Sequence, residues 1–429
     1  MLDWRAPRPA VLILLLAEVV IVGVLLAWKH LDGLDLEVYR LGADALLTSG
    51  DPYGVLPPTR DGTVLPFTYP PFAALVFAPL LVLPLDLALV LLTLVSVLAL
   101  GAVVALCLAG ADRPAGNALN VAITTSDVAN GTFGTSNVSK ATFRARLWVV
   151  GGAALGVQAV ALLSEPVRAT LGFGQVNLLL MLLVAVDILG PNWRYRGVLI
   201  GLAAVVKLTP AAFLLFFLLR KDFRAVARAA LVFGCCGLLA WLLAPSASVR
   251  YWTELIFARE RVGDPGYIGN QSLRGLLARL GPPAETLVWV AVVLLVLAAT
   301  VLLMRRALAA GRPVPALLAC ALAALLVSPV SWTHHWVWCA PVLGVLVWSG
   351  LRGGPTRAVL LLGSAALAAV VFLWSPLWDY RQVWPVRESY VLTGLLLLGL
   401  LGLTLDDPLD RAGKRGDIVR LDRREQPDT

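Results

Sequence analysis

Charged residues are scarce in this chain: they make up 14% of its 429 residues, whereas 59% belong to the apolar set AVILMFWYC. Its mean hydropathy is +0.82. An average soluble domain contains about 25% charged and about 45–50% apolar residues. A soluble fold has no interior large enough for such a surplus of apolar side chains, and intrinsic disorder needs low hydrophobicity and high charge. The composition therefore excludes both classes and predicts an all-α polytopic membrane protein.

Residues that bind metals or form disulfides are also few, with five cysteines and three histidines. Every cysteine falls inside an apolar run, so we expect small buried side chains and neither a disulfide framework nor a metal site. His334 and His335 are adjacent, and adjacent residues of a helix point about 100° apart, which disfavours a shared metal ion. The chain contains no P-loop, GxGxxG or HExxH motif, so the sequence supports no nucleotide or metal cofactor.

The net charge of +8 comes from short basic clusters between apolar runs and not from one continuous basic face. Such clusters mark the cytoplasmic loops of membrane proteins, so we expect contacts with membrane lipids and none with nucleic acid. A spanning helix needs roughly 20 apolar residues. On that basis residues 1–404 form one transmembrane domain with about ten crossings and one hairpin, or about twelve helical segments. The loops 29–71 and 245–283 fall on the outer side, whereas the loop 110–146 and the charged tail 405–429 are cytoplasmic.

The apolar run from Gly197 to Leu219 is flanked by basic residues at both ends, which a single crossing would not produce. Lys207, Thr209 and Pro210 interrupt it near its middle. We therefore predict two half-helices that enter and leave on the cytoplasmic side, around irregular backbone that lines a cavity. An ionisable group in such a position, here Lys207, is a candidate functional residue.

Asp35 is the first candidate in the outer loops, where it begins a stretch that suits a short interfacial helix. Local sequence alone favours a helix-capping aspartate. The alternative is a carboxylate held at the membrane surface as a general base. On the same outer side, the segment Gly174 to Asn177 is interpreted as simple interhelical polar contacts.

His334 and His335 lie at the start of an apolar run that is rich in tryptophan. They are either polar tips of an interfacial aromatic belt or groups that bind a phosphate or carboxylate. The basic cluster with Arg259 and Arg261 lies on the outer side, against the positive-inside trend. Surface ion pairing is one interpretation of this cluster, and phosphate recognition by arginine is another, which would give a reason for its placement.

Several segments between Asp32 and Pro341 match the motifs of one known family in the same order. They are DLEVYRLGADALLTSGDPY with FTYPPFAALVFAPL, then GFGQVNLLLMLLV, GVLIGLAAVVKLTPAAFLL, GNQSLRGLLARL and SPVSWTHHWVWCAPVL. Together they resemble glycosyltransferase family 87, actinobacterial α-(1→2)-mannosyltransferases of the GT-C fold that depend on polyprenyl-phosphate mannose. Residues 111–146 match least and look like an insertion specific to this chain.

The resemblance implies a metal-independent, inverting enzyme of the bacterial plasma membrane with its active site on the periplasmic face. Mannose would move from polyprenyl-phosphate mannose to a mannosylated lipid, either a phosphatidylinositol mannoside or lipomannan, with no cofactor besides this lipid-linked donor. The family's catalytic aspartate falls on Asp35, and its important histidine falls on His334 or His335, between which the motif does not choose. The candidate substrate-binding residues are Lys207, Arg259, Arg261, Asn270, Gln271, Arg274 and Tyr69.

Two other functions remain open at this point. An arabinofuranosyltransferase with a decaprenyl-phosphate donor is the nearer alternative. A lipid or solute transporter is the alternative from another class, and its mark would be matched inverted halves with a broken helix in each. The chain offers one broken hairpin without a counterpart, which favours glycosyl transfer.

Overall fold

A computed structural model of the chain describes residues 7–27, 31–112, 135–190 and 194–405, and these ranges contain helices and loops but no β-strand. The prediction of an all-α protein is confirmed. The α-helices are α1 Pro7–Ala27, α2 Leu34–Ser49, α3 Pro71–Phe77, α4 Leu85–Ala111, α5 Thr135–Leu163, α6 Glu165–Gly172, α7 Asn177–Leu189, α8 Val198–Val206, α9 Leu214–Leu219, α10 Phe223–Leu243, α11 Pro245–Arg250, α12 Leu273–Leu280, α13 Glu285–Ala309, α14 Pro313–Val327, α15 Cys339–Leu351, α16 Pro355–Trp374 and α17 Ser389–Leu400. Shorter 3-10 or π turns lie at Ala78–Val82, Thr209–Phe213, Tyr251–Leu255, Arg259–Val262, Thr333–Trp338, Val386–Glu388 and Leu401–Leu405.

Within the part of the chain that the structure describes, five helical segments are long and apolar enough to cross a membrane: α4, α10, α13, α16 and Val386–Leu405. The pair formed by Trp148–Leu163 and α6, bent by 71°, makes a sixth if it counts as one span. The chain is therefore a membrane protein, but fewer helices meet the length of a full crossing than the sequence pattern predicted. Helix α7, for example, contains only 13 residues, fewer than the roughly 20 that a crossing needs.

The interior of the bundle is built on α14, of whose fifteen residues twelve are buried. Long outer helices pack around it and expose leucine and valine on their far faces, as a helix in lipid does. A second apolar cluster joins α2 and α3 around Tyr39 and Phe67 at one end of the bundle. This cluster supports one wall of the candidate site.

The segment from Gly197 to Leu219 turns back on itself, as the sequence predicted. A methyl group added to Gly197 would lie 1.9 Å from the carbonyl oxygen of Ala225, just beyond the far end of the segment. Arg228 Nη1 also donates to the carbonyl oxygen of Arg196 at 3.3 Å. Both ends of the hairpin are thus at the same end of the molecule, and its break at Lys207 is at the other.

The cysteines are all free, and Cys107, Cys320 and Cys339 are buried as predicted. The prediction was wrong for Cys235, which is exposed on the outer face of α10. An apolar run does not distinguish the lipid-facing side of a helix from the packed side. Residues 113–134 of the predicted cytoplasmic loop and residues 406–429 of the predicted tail lie outside the described ranges.

Candidate active site

A cavity of about 590 Å³ lies at the end of the bundle where the predicted outer loops meet. Its wall combines α2, the turn between α6 and α7, the hairpin break, the loop after α11 and the turn Thr333–Trp338. It includes six of the predicted site residues: Asp35, Tyr69, Lys207, Arg261, His334 and His335. Candidates that are as much as 300 residues apart in sequence therefore share one site.

Asp35 lies in the first turn of α2, two residues after the N-cap residue Gly33, whose backbone is left-handed with φ 69°. No side chain caps this end of the helix. The capping interpretation is therefore wrong for Asp35; the neighbouring Asp32 accepts from the Leu34 N–H at 3.1 Å instead. The main-chain N–H of Asp35 donates to the carbonyl oxygen of Phe173 at 2.9 Å. This bond fixes the residue against the turn between α6 and α7.

The Asp35 carboxyl faces the cavity but is otherwise enclosed by protein. Burial raises its pKa to about 6, although a hydrogen bond from Gln175 and the positive charge of Lys207 oppose the rise. The negative charge of Asp32 adds to it. A carboxyl with a pKa near the working pH is well suited to take up a proton during a reaction.

Gln175 is 3% exposed and links Asp35 to two tyrosines. The hydroxyl of Tyr39 donates to Gln175 Oε1 at 2.7 Å, and that of Tyr69 donates to the same oxygen at 3.3 Å. The two hydroxyl oxygens are 2.9 Å apart. Two hydroxyls thus hold the amide oxygen, and the amide lowers the pKa of the neighbouring Asp35 carboxyl.

Lys207 occupies the hairpin break, where its backbone is extended (φ −144°, ψ 127°) between α8 and the 3-10 turn at Thr209. Its Nζ atom donates to Asn177 Oδ1 at 2.8 Å and lies 3.3 Å from His335 Nε2 and 5.5 Å from the centre of the Tyr69 ring. No carboxylate oxygen of the described residues lies within ion-pair distance of it. The ammonium group is therefore available to an anionic ligand in the cavity.

The two histidines have different surroundings, although both line the cavity. The main chain of His334 is fixed because its carbonyl oxygen accepts from Thr170 Oγ1 at 2.6 Å and Asn177 Nδ2 at 3.1 Å. Its ring packs edge-on against Phe173, with centroids 5.3 Å apart. His334 Nε2 is buried and has no hydrogen-bond partner among the described residues, whereas His335 Nε2 contacts Lys207.

Neither histidine carries a charge at neutral pH. Burial, with a smaller effect from the positive charge of Lys207, lowers the pKa of His334 to about 3. The same causes, together with His334, lower the pKa of His335. Because an ammonium group only donates, His335 Nε2 accepts from Lys207 and its ring hydrogen is on Nδ1. The histidines can therefore donate or accept hydrogen bonds but do not add positive charge to the cavity.

Arg261 supplies a second cation at the cavity wall. Its Nη2 atom donates to the carbonyl oxygen of Phe67 at 3.4 Å, and its guanidinium lies 5.8 Å from the centre of the Tyr53 ring. It forms no ion pair with any carboxylate in the described parts of the chain. The neighbouring candidate Arg259 begins the same 3-10 turn, but its side chain lies outside the described part of the structure.

Three predicted substrate-binding residues do not line the cavity, and the structure gives them partners within the protein. Asn270 Oδ1 accepts from the Ser331 N–H at 2.9 Å, and its amide nitrogen donates to main-chain carbonyls. Gln271 likewise donates to two carbonyls, each at 2.9 Å. Arg274 is paired with Glu285 at 3.1 Å. Asn270 thus fastens the loop after α11 to the segment before the histidines, and Gln271 fastens it to Arg387. Their positions do not support a direct contact with substrate.

Comparison with known proteins shows which family the chain belongs to. Residues 67–329, more than half of the chain, match the sequence model of glycosyltransferase family 87. The chain belongs to this family. It is 37% identical to a Mycobacterium tuberculosis protein named polyprenol-phosphate-mannose-dependent alpha-(1-2)-phosphatidylinositol mannoside mannosyltransferase, over 94% of both chains. A Mycolicibacterium smegmatis protein of the same name is 38% identical over 87% of this chain and 81% of its own.

A second Mycobacterium tuberculosis protein, named for phosphatidylinositol pentamannoside as acceptor, is 33% identical to this family 87 chain over 90% of its length and 83% of the relative. No solved structure matches the chain. The family resemblance inferred from the sequence motifs is confirmed, and with it the expectation of a glycosyltransferase. The role of each cavity residue in this family 87 member remains a prediction.

Two cavity residues of this family 87 chain escaped the sequence analysis. Gln175 was treated as a simple interhelical contact, because nothing in a local motif shows which carboxylate it meets. The other is Glu165, the first residue of α6, whose carboxylate accepts from Thr333 Oγ1 at 2.8 Å and Tyr390 OH at 2.7 Å. Trp378 Nε1 donates to it as well, at 3.4 Å. The only sequence signal was the cost of a carboxylate next to an apolar run.

Proposed function

We propose that this chain transfers mannose from polyprenol-phosphate mannose to a phosphatidylinositol mannoside, with formation of an α-(1→2) linkage. The observation that carries the proposal is one cavity that contains both an enclosed carboxyl, Asp35, and an ammonium group without a carboxylate in contact, Lys207. The names of the relatives support the donor and the acceptor. The two groups match the two demands of the reaction, removal of a proton and stabilisation of a leaving phosphate.

In the proposed reaction Asp35 takes the proton from the acceptor hydroxyl as its oxygen bonds to the anomeric carbon of mannose. The bond between that carbon and the phosphate oxygen breaks, and the electron pair leaves with the lipid phosphate. Lys207 and Arg261 offset the negative charge that collects on the phosphate. One displacement inverts the anomeric centre and needs no covalent enzyme intermediate.

We assign different roles to the two histidines. His334 lines the cavity, and its buried Nε2 has no hydrogen-bond partner among the described residues, so we propose that this nitrogen bonds to a substrate oxygen when the substrate binds. His335 instead holds the Lys207 ammonium in place through its own Nε2. The choice that the sequence motif left open is therefore proposed to fall on His334 for substrate contact.

Three aromatic rings also line the cavity and are suited to a sugar ring. Tyr267 packs against Trp332 and Trp378, with centroids 5.8 and 6.3 Å apart, and all three rings line the cavity. Aromatic faces bury the apolar side of a ring while polar groups bond its hydroxyls. We propose that a mannose unit of the donor or acceptor lies against these rings.

We propose the GT-C architecture, about twelve helical segments, and a periplasmic cavity in the plasma membrane. Support comes from the charge pattern. The loop 29–71 at the cavity contains more acidic than basic residues, whereas Arg196 and Arg228 lie at the opposite end of the hairpin. We also propose that the reaction needs no metal, since Lys207 and Arg261 supply cations at the site. Within the described ranges, no three His, Cys, Asp or Glu side chains are grouped as metal ligands.

The proposal is tested in proteoliposomes that contain the full chain, labelled polyprenol-phosphate mannose and phosphatidylinositol mannosides, with EDTA present. We expect an α-(1→2)-linked product by linkage analysis. Asp35→Asn should reduce transfer by about 10²–10⁴-fold. Asp44→Asn is the matched control, because it makes the same change at an exposed position of α2. Transfer by Asp35→Asn at the rate of the control contradicts the proposal. So does a wild-type protein that transfers no mannose but transfers arabinose when decaprenyl-phosphate arabinose replaces the mannose donor.

A further inference from the structure

The turn between α6 and α7 holds Gln175 at a fixed distance from α2. Gly174 is in the left-handed region (φ 66°), and a methyl group there would lie 2.7 Å from Leu36 Cβ, so the turn packs directly on α2. The carbonyl oxygen of Phe173, in the same turn, accepts from the N–H groups of Asp35 and Leu36 at 2.9 and 3.1 Å. The main chains that carry Gln175 and Asp35 are therefore joined rigidly.

Two hydroxyl groups determine which way the Gln175 amide faces. Its Oε1 accepts from Tyr39 and Tyr69, which leaves the NH₂ group to donate to the Asp35 carboxylate. The reversed amide would direct its oxygen at an anionic carboxylate, so the ionised form of Asp35 itself selects this orientation. A hydrogen bond to a charged group is worth more than one between neutral groups.

We propose that Gln175 is a positioning residue for Asp35: its amide holds one carboxylate oxygen and keeps the other free for the acceptor hydroxyl. Tyr39 and Tyr69 act one step further away, by fixing the amide. This inference rests on the proposed function, in which Asp35 is the base. It assigns a catalytic consequence to the GFGQ segment, which would otherwise be a packing contact.

Several groups besides Gln175 affect the ionisation of Asp35. Lys207 favours the carboxylate, and Asp32 disfavours it. The hydroxyls of Tyr39 and Tyr69 are buried, which raises the pKa of each, so they stay neutral. Gln175 is thus the neutral group that donates to Asp35 itself. Because its hydrogen bond favours the ionised carboxylate, its removal should raise the pKa of Asp35.

The test is the pH dependence of kcat/KM for Gln175→Leu in proteoliposomes. We expect kcat to fall by about tenfold or more, the acceptor KM to change little, and the acid limb of the profile to move to higher pH. Gln158→Leu is the matched control, because Gln158 is a buried glutamine that bonds to the Val97 carbonyl at 2.9 Å, away from the cavity. It should keep the wild-type profile.

A Gln175→Leu variant with the wild-type profile overturns the inference. A variant that is slower but whose acid limb stays at the same pH also overturns it, because a purely structural role of Gln175 would give that result. If this variant does not fold, the Tyr39→Phe/Tyr69→Phe pair frees the amide while Gln175 stays, and the acid limb should again move to higher pH. Loss of activity in Asp35→Asn with no effect at Gln175 contradicts this inference alone. Full activity in Asp35→Asn contradicts the proposed function itself.

Discussion

At Asp35, burial and hydrogen bonding act in opposite directions on the same carboxyl. Removal from bulk water favours the neutral acid, whereas Gln175 and Lys207 favour the anion, and burial prevails because the pKa stays raised at about 6. A base in the ionised form is needed to take the proton of the acceptor hydroxyl. Activity should consequently be full above this pKa and be lost as the pH falls through it.

We predict an acid limb near pH 6 in the kcat/KM profile of the wild-type protein. Such a limb would ordinarily be attributed to histidine, but His334 is neutral throughout this range because burial lowers its pKa to about 3. His334→Gln should therefore lower the rate and leave the midpoint of the limb in place. The measurement is transfer rate against pH in proteoliposomes. Disappearance of the limb in His334→Gln would assign it to the imidazole and contradict this prediction.

Lys207→Met should reduce kcat by about 10²–10³-fold, because it removes the cation proposed to stabilise the leaving phosphate. The side chains have similar length, so packing at the hairpin break is largely kept. Single-turnover kinetics with excess protein measure the chemical step directly. Lys221→Met is the control, since Lys221 is exposed beyond the far end of the hairpin. Equal rates for the two variants would show that Lys207 has no such role.

At the scale of elements, the hairpin depends on close contact between α8 and α10. Gly197 has φ 95°, and Gly201 would place a methyl group 2.5 Å from the Ala229 carbonyl oxygen. Only glycine permits this approach of two backbones. The hairpin therefore needs its glycines on one face as much as its polar break at Lys207.

We predict that Gly201→Ala destabilises the protein by about 1–3 kcal/mol, because the added methyl group forces α8 and α10 apart. Thermal unfolding in detergent measures the effect as a lower Tm. Gly234→Ala is the matched control: it lies in α10 with nothing within 4 Å of the added methyl group. A Tm for Gly201→Ala at or above that of the control would contradict the close packing described for this pair.

The hairpin and part of the candidate site could be predicted from the sequence, whereas other residues of the site could not. The hairpin followed from basic residues at both ends of one apolar run, and Lys207 from the cost of a charge within it. Gln175 could not be found in this way, since its partners Tyr39 and Tyr69 are 136 and 106 residues away in sequence. Asn270 was assigned to substrate because a motif shows which residues recur, but not which atoms they contact.

At the scale of the whole molecule, the distribution of charge and the position of the cavity agree. The acidic loop 29–71 is part of the cavity end, and basic turns, including Arg352 paired with Asp112 at 2.8 Å, lie at the other. The arginines of the loop 245–283 are the exception, and one of them, Arg261, lines the cavity. The sequence alone could assign sides to these loops but could not bring them together. That required the helices to be folded against one another.

We predict that a cysteine at Val55, which is 94% exposed in the loop before α3, reacts with a membrane-impermeant thiol reagent in intact cells. A cysteine at Thr356, exposed at the start of α16, should react only after the membrane is permeabilised. The native cysteines are replaced first, because Cys235 is exposed. Labelling is followed by mass spectrometry. Equal labelling of both positions in intact cells, or the reverse order, would contradict the proposed periplasmic cavity.

The short stretch from Thr170 to Asn177 contacts all three kinds of reactive group in the cavity. Phe173 and Gln175 hold Asp35, Asn177 holds Lys207, and Thr170 and Asn177 together hold the main chain of His334. Eight consecutive residues therefore fix the relative positions of the base, the cation and the histidine. We therefore expect the spacing of these groups to depend on the shape of this one turn more than on the positions of the lipid-facing helices.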